Sequence, residues 1–156
     1  MRSPVVIGVD PGAQGAIVAP YRVTIPGDPR GKGSVRVARW GAYKDEATEE
    51  YMGRAIFAMR AAPHGAPIDR PWTCSITCLV RRPKALIPKA RARTPQPDAG
   101  PFPAPCKPDL DNVAKCILDS LVQAGIVADD RACVRLSMWK LYVAVGDSPR
   151  VEVVVE

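Results

Sequence analysis

KPDLDNVAKCILDSLVQAGIVADD, residues 107–130, is the stretch on which the reading of the chain turns. Val113, Ile117, Leu121 and Ala124 recur at three- and four-residue steps as one apolar stripe, while Asp111, Lys115 and Asp119 lie four apart on another face. The spacing predicts a helix over 112–124 with one buried side and one charged row. Asp109 can accept the free amides of the first turn, and Gly125 supplies the stop. Pro108 keeps the chain extended into the helix, so Asp109 and Asp111 straddle the junction and can converge on one point. Converging carboxylate oxygens are what Mg²⁺ takes from a protein, with water and substrate phosphate completing its octahedron. Asp129 and Asp130 follow on the return of the chain, where Asp130 is expected to meet Asp109 and Asp111.

Working outward, Val5 to Val9 reads as a strand ending at Asp10-Pro11-Gly12, and Tyr21 to Ile25 as a second strand before Pro26. Gly27 to Arg39 mixes three glycines with Arg30, Lys32, Arg36 and Arg39, which suits a basic loop or hairpin and equally a solvated turn. Lys44 to Ala62 repeats Tyr51, Ala55, Ile56, Ala58 and Met59 at helical spacing, has acids in its first turns and ends at Pro63. Trp72 to Val80 alternates, with Cys74, Ile76, Cys78 and Val80 on one face, so Cys74 and Cys78 read as core packing and not as metal ligands. Eight of the seventeen prolines fall between Arg81 and Pro108, which predicts an extended basic loop. Ile126 to Ala128, Ala132 to Val145 and Val151 to Val155 complete the strands. The expected fold is α+β: a small mixed β-sheet with two main helices packed on it. Residues 1–20 form an extension and 21–156 the domain, with the Pro-rich loop at 83–108.

A chain of 156 residues with net charge +6 points toward a polyanionic partner. Five cysteines without a charged-then-apolar leader suggest reduced thiols in a cytoplasm, and no apolar run approaches the length of a membrane span. The chemistry that fits the acids is phosphodiester hydrolysis. A metal polarises the phosphoryl oxygen and activates water, while Lys115 stabilises developing charge or the leaving oxygen. Nothing supports covalent catalysis, since the only histidine, His64, follows Pro63 in a turn. Spacing alone also fits, and by frequency favours, a plain structural role: Asp109 a cap, Asp111 and Lys115 a surface pair, Asp129-Asp130 a polar turn.

The run Pro108-Asp109-Leu110-Asp111-Asn112, then Lys115, Asp119 with Leu121, and Asp129-Asp130 resembles the RusA family of Holliday-junction resolvases. The resemblance is specific over these two dozen residues, extends more weakly over 21–156, and overturns the structural reading. It implies a small α+β homodimer that cleaves four-way DNA junctions in recombination and repair with Mg²⁺ or Mn²⁺. It places metal-binding aspartates at Asp109, Asp111 and Asp130, the essential lysine at Lys115, and an accessory acid at Asp129. DNA-binding candidates are Arg81, Arg82, Lys84, Lys89, Arg91, Arg93, Lys107 and Lys140. Two other readings stand beside it: a non-catalytic module that binds branched DNA, and a nuclease preferring flaps or forks. The leader IGVDPGAQG resembles the opening strand of RNase H-like resolvases, where an aspartate in a D-P-G turn binds metal. The further strands and acids of that fold do not follow, so Asp10 is read as structural or vestigial.

Overall fold

The computed structural model describes residues 19–32, 36–38, 41–43, 46–87 and 100–156. The expected strand at Val5 to Val9, Asp10, and the loop residues Lys89, Arg91 and Arg93 lie outside them. A five-stranded mixed sheet is built from β1 (Tyr21–Pro26), β4 (Trp72–Val80), β5 (Phe102–Pro103), β6 (Cys133–Tyr142) and β7 (Arg150–Val155), in the order β1-β7-β4-β6-β5. Strands β4 and β6 are parallel and the other pairs antiparallel. Two short strands, β2 (Arg36–Ala38) and β3 (Gly41–Tyr43), pair antiparallel apart from the main sheet, β2 inside the Gly27 to Arg39 stretch expected to be a basic loop or hairpin and β3 just beyond it.

Register explains the core. Val23, Val153, Ile76 and Met138 stand side by side across four strands, and Ile25, Val151, Cys78 and Lys140 form the next row on the same face. Both helices pack on that face. Helix α1 (Glu46–Ala61) buries Tyr51, Ala55 and Met59, and α2 (Leu110–Ala124) buries Val113, Ile117, Leu121 and Ala124, the stripe its periodicity predicts. Strands β1, β4 and β7 therefore turn alternate residues inward, as in the buried–exposed alternation of β1. Gly125 ends α2 at φ 78°, and the Ile126 amide bonds back to Leu121 O at 3.0 Å. A residue with a β-carbon adopts that left-handed conformation only at a cost, which makes glycine the natural stop. Arg60, in the last turn of α1, donates to Gln123 O at 2.8 Å and ties the two helix ends together.

Burial pushes the thiols of Cys78 and Cys116 up to about 11 and that of Cys74 to about 12. All three behave as small apolar core residues, as the alternation in β4 predicts for Cys74 and Cys78.

Candidate active site

Asp109 occupies the N-cap of α2 with extended backbone (φ −70°, ψ 142°), yet its carboxylate makes no capping hydrogen bond. The cap reading is therefore not the one the side chain adopts. Asp109 and Asp111 are both exposed, and Lys115 Nζ lies 3.9 Å from Asp111 Oδ2 across one helical turn. At that separation, with both partners solvated, the pair is weak and Lys115 can reorient toward an incoming anion.

A cleft of about 610 Å³ opens beside Asp109, with Lys107, Pro108 and Asn112 on one side and Asp28 to Gly31 on the other. Its second wall is held in place by α2 itself. The Lys32 amide bonds to Asn112 O at 2.9 Å and the Lys32 ammonium pairs with Asp119, which raises the lysine's pKa. Thr48, in the first turns of α1, donates to Gly31 O. Arg30 and Lys107 bring positive charge to the cleft. Arg81 also lines it, and its guanidinium is paired with Asp28 at 3.2 Å.

The second acid pair lies elsewhere. Trp72, at the start of β4, donates its indole N–H to Asp129 O at 3.3 Å, whereas Val80 and Arg81, at the end of β4, line the cleft with Asp109. The nine residues of β4 put the two acid pairs on the order of 25 Å apart at opposite ends of the sheet. Among the described residues no group of three or more potential metal ligands gathers. The expected meeting of Asp130 with Asp109 and Asp111 is thus not made within one chain. The reason is length: α2 carries the chain to the far end of the sheet, and Ile126 and Val127 are buried there before Asp130 is reached. Asp130 is exposed, while Asp129 is gripped by its neighbour Arg131, whose Nη2 approaches Oδ2 to 2.6 Å and whose amide bonds Oδ1 at 2.9 Å. These Arg131 bonds hold the Asp129 carboxyl down to about 2.

Two residues read as DNA contacts sit in other surroundings. Arg82 is buried and donates to Val143 O at 3.1 Å and Gly100 O at 2.6 Å, with its guanidinium 4.7 Å from the Phe102 ring centroid. It continues the inward alternation of Cys74, Ile76, Cys78 and Val80, a signal that the basic composition of its neighbourhood obscured. Lys140 directs its ammonium to the Cys106 and Pro108 carbonyls. Lys84 and Lys107 are exposed. The sequence gives Gly31 no role and Asn112 only a place in the family motif, because the part each plays here comes from docking between segments far apart in the chain.

Solvent-facing carboxylates at a helix start, next to a cleft bearing Arg30 and Lys107, suit a hydrolase acting on a phosphodiester. A family model described as endodeoxyribonuclease RusA matches residues 26–156. The chain belongs to the RusA endodeoxyribonuclease family and is a nuclease. No curated protein matches it, and among the described residues no helix is long and apolar enough to cross a membrane.

Proposed function

We propose that the protein is a Mg²⁺-dependent, structure-specific endodeoxyribonuclease that resolves four-way DNA junctions by paired incisions, working in the cytoplasm as a homodimer. The observation that carries this reading is the pair of solvent-facing carboxylates, Asp109 and Asp111, at the start of α2, the first of them at a cap position without acting as a cap. Their donor chemistry fits a hard divalent cation, Mg²⁺ or in its place Mn²⁺. When bound, the ion supplies Lewis-acid polarisation of the scissile phosphate and a more acidic water. The chain's own residues do the rest. Lys115 turns from Asp111 toward charge developing on the phosphate, and Lys107, Arg81 and Lys84 draw in the flanking phosphates, with Lys89, Arg91 and Arg93 as further candidates.

A dimer supplies the acid that one chain does not bring. Among the described residues β5 pairs with Leu141 and Tyr142 of β6 and no strand pairs with the preceding edge of β6, where Val134, Leu136 and Trp139 are exposed. An open edge with apolar side chains calls for a partner. Two copies paired antiparallel along this edge by a two-fold axis would set the start of one β6 against the end of the other. The start follows Asp130, and the end, through Lys140, adjoins the segment leading to Asp109. Asp130 of the partner subunit would then join Asp109 and Asp111, with the partner's Asp129 as the accessory acid.

Mixing two inactive variants tests this arrangement. Asp111→Asn and Asp130→Asn, each dead alone, should regain nicking when co-refolded, because each mixed dimer carries one site with all its acids. Random pairing restores roughly a quarter of the sites. No recovery, with mixed dimers shown to form, would place all the acids of a site in one chain or in neither.

A further inference from the structure

Lys140 stands on the core face of the sheet, in the row Ile25–Val151–Cys78–Lys140. A lysine at the rim of an apolar row needs acceptors for its ammonium, and the acceptors it finds are specific. Its Nζ donates to the carbonyl of Cys106 and, at 2.8 Å, to that of Pro108. Its own carbonyl accepts the Ala104 amide at 3.0 Å. One residue of β6 therefore fastens the chain at positions 104, 106 and 108, immediately before Asp109. Past Pro108 the chain enters α2, whose first backbone bond runs from the Val113 amide to Asp109 O at 3.1 Å.

We propose that Lys140 is a positioning residue for the acidic site, not a contact to DNA: its ammonium fixes the Cys106–Pro108 segment on the sheet and so sets where Asp109 and Asp111 stand relative to the cleft. The alternation of β6 agrees. Arg135, Ser137 and Trp139 pair with Thr73, Ser75 and Thr77 of β4 on the face that bears no helix, whereas Leu136, Met138, Lys140 and Tyr142 pair with the inward residues Cys74, Ile76, Cys78 and Val80. The lysine reaches from beneath the segment it holds. Charge-assisted bonds to two carbonyls hold it more firmly than neutral ones would. The metal-site part of the inference rests on the function proposed above, whereas the clamp does not.

The test uses full-length Lys140→Met and Lys140→Arg. Amide exchange of residues 104–113 is measured alongside the Mg²⁺ concentration giving half-maximal junction nicking, and junction affinity is measured without metal over a salt series. In Lys140→Met the segment should exchange about tenfold faster, as expected for losing charge-assisted bonds. The Mg²⁺ requirement should rise by about tenfold, while junction affinity stays within about threefold and its salt slope is unchanged. Lys140→Arg, still able to donate to both carbonyls, should restore most of the metal affinity. Lys140→Gln is read in the same way should the methionine variant not fold. Unchanged exchange overturns the clamp. So does an unaltered Mg²⁺ requirement accompanied by weaker binding and a shallower salt slope, the signature of a phosphate contact. If the wild type cuts no junction, the exchange experiment alone decides the clamp, and the failure belongs to the proposed function.

Discussion

Gly31 is the position where a single methyl group should disturb the site most. A β-carbon built there would lie 2.7 Å from Asn112 Cβ, 3.4 Å from the Asn112 carbonyl carbon and 3.5 Å from Pro108 Cβ. Carbon atoms in contact prefer about 3.5–4 Å, so the wall formed by residues 28–32 must move back by about an ångström. None of the obstructing atoms is the end of a flexible side chain, so they cannot swing away. The displacement strains the 2.9 Å bond from the Lys32 amide to Asn112 O and the Lys32–Asp119 pair. Overpacking of this kind costs about 1–3 kcal/mol, and a weakened backbone bond adds about 1 kcal/mol. The exposed ion pair adds little. Gly31→Ala should therefore lose about 2–3 kcal/mol in urea unfolding, with an unchanged denaturant slope. Its junction nicking should fall further than its stability loss explains, because the cleft wall has shifted beside Asp109. A variant unfolding within about 0.3 kcal/mol of wild type, with normal nicking, would refute the docking of this loop on α2.

Three further outcomes are expected. Arg82→Ala should cost about 3 kcal/mol, since it removes charge-assisted bonds to two carbonyls and a contact with Phe102; chemical denaturation measures the loss, and junction affinity of the remaining folded protein should keep its salt slope. Stability should be fully present below about pH 9 and fall as pH rises toward 11–12, because unfolded thiols ionise near 9.0 whereas native Cys74, Cys78 and Cys116 hold their protons to about 11–12. Each thiol contributes on the order of 1 kcal/mol per pH unit in that window, so Cys116→Ala should flatten the decline seen in thermal melts between pH 8 and 10.5 relative to wild type. Leu136→Asp, which sets a charge on the open edge of β6, should convert the protein to monomers in sedimentation velocity and abolish nicking without lowering helix content by circular dichroism; a dimer that persists would move the interface off this edge.

Periodicity made much of the fold legible. The alternation in β4 and the stripe of α2 each report a neighbour that every inward residue shares, namely the core. The Gly125 stop was equally plain, because its backbone requirement is local. Other features depended on partners distant in sequence. The two residues of β5 owe their pairing to β6, whereas the prolines of the surrounding segment argue only for a loop. Arg82 and Lys140 stood among the DNA-binding candidates, and their inward positions, just past β4 and within β6, depend on carbonyls of segments distant in sequence. At the site, the convergence of Asp109 and Asp111 at a helix start followed from local geometry. The position of Asp130 did not, since a turn after a helix returns the chain without stating at which end of the sheet it does so. The length of α2 decided that, and within the chain it left Asp130 far from Asp109 and Asp111.

Metal-dependent cutting of a branched DNA by the acids at the start of α2 can be tested in one comparison. The most direct measurement incubates labelled four-way junction, flap, fork and linear duplex with the protein and with Asp111→Asn, with and without Mg²⁺. Asp111 is 68% exposed in its side chain and among the described residues engages Lys115 alone, at 3.9 Å, so its loss should change stability by no more than about 0.5 kcal/mol. Removing a negative charge opposed to phosphate should keep or tighten junction binding. The expected result is paired nicks near the crossover of the four-way junction, only with Mg²⁺ and only with the wild type. Tight junction binding without cleavage under any metal, or cleavage undiminished in Asp111→Asn, would contradict it.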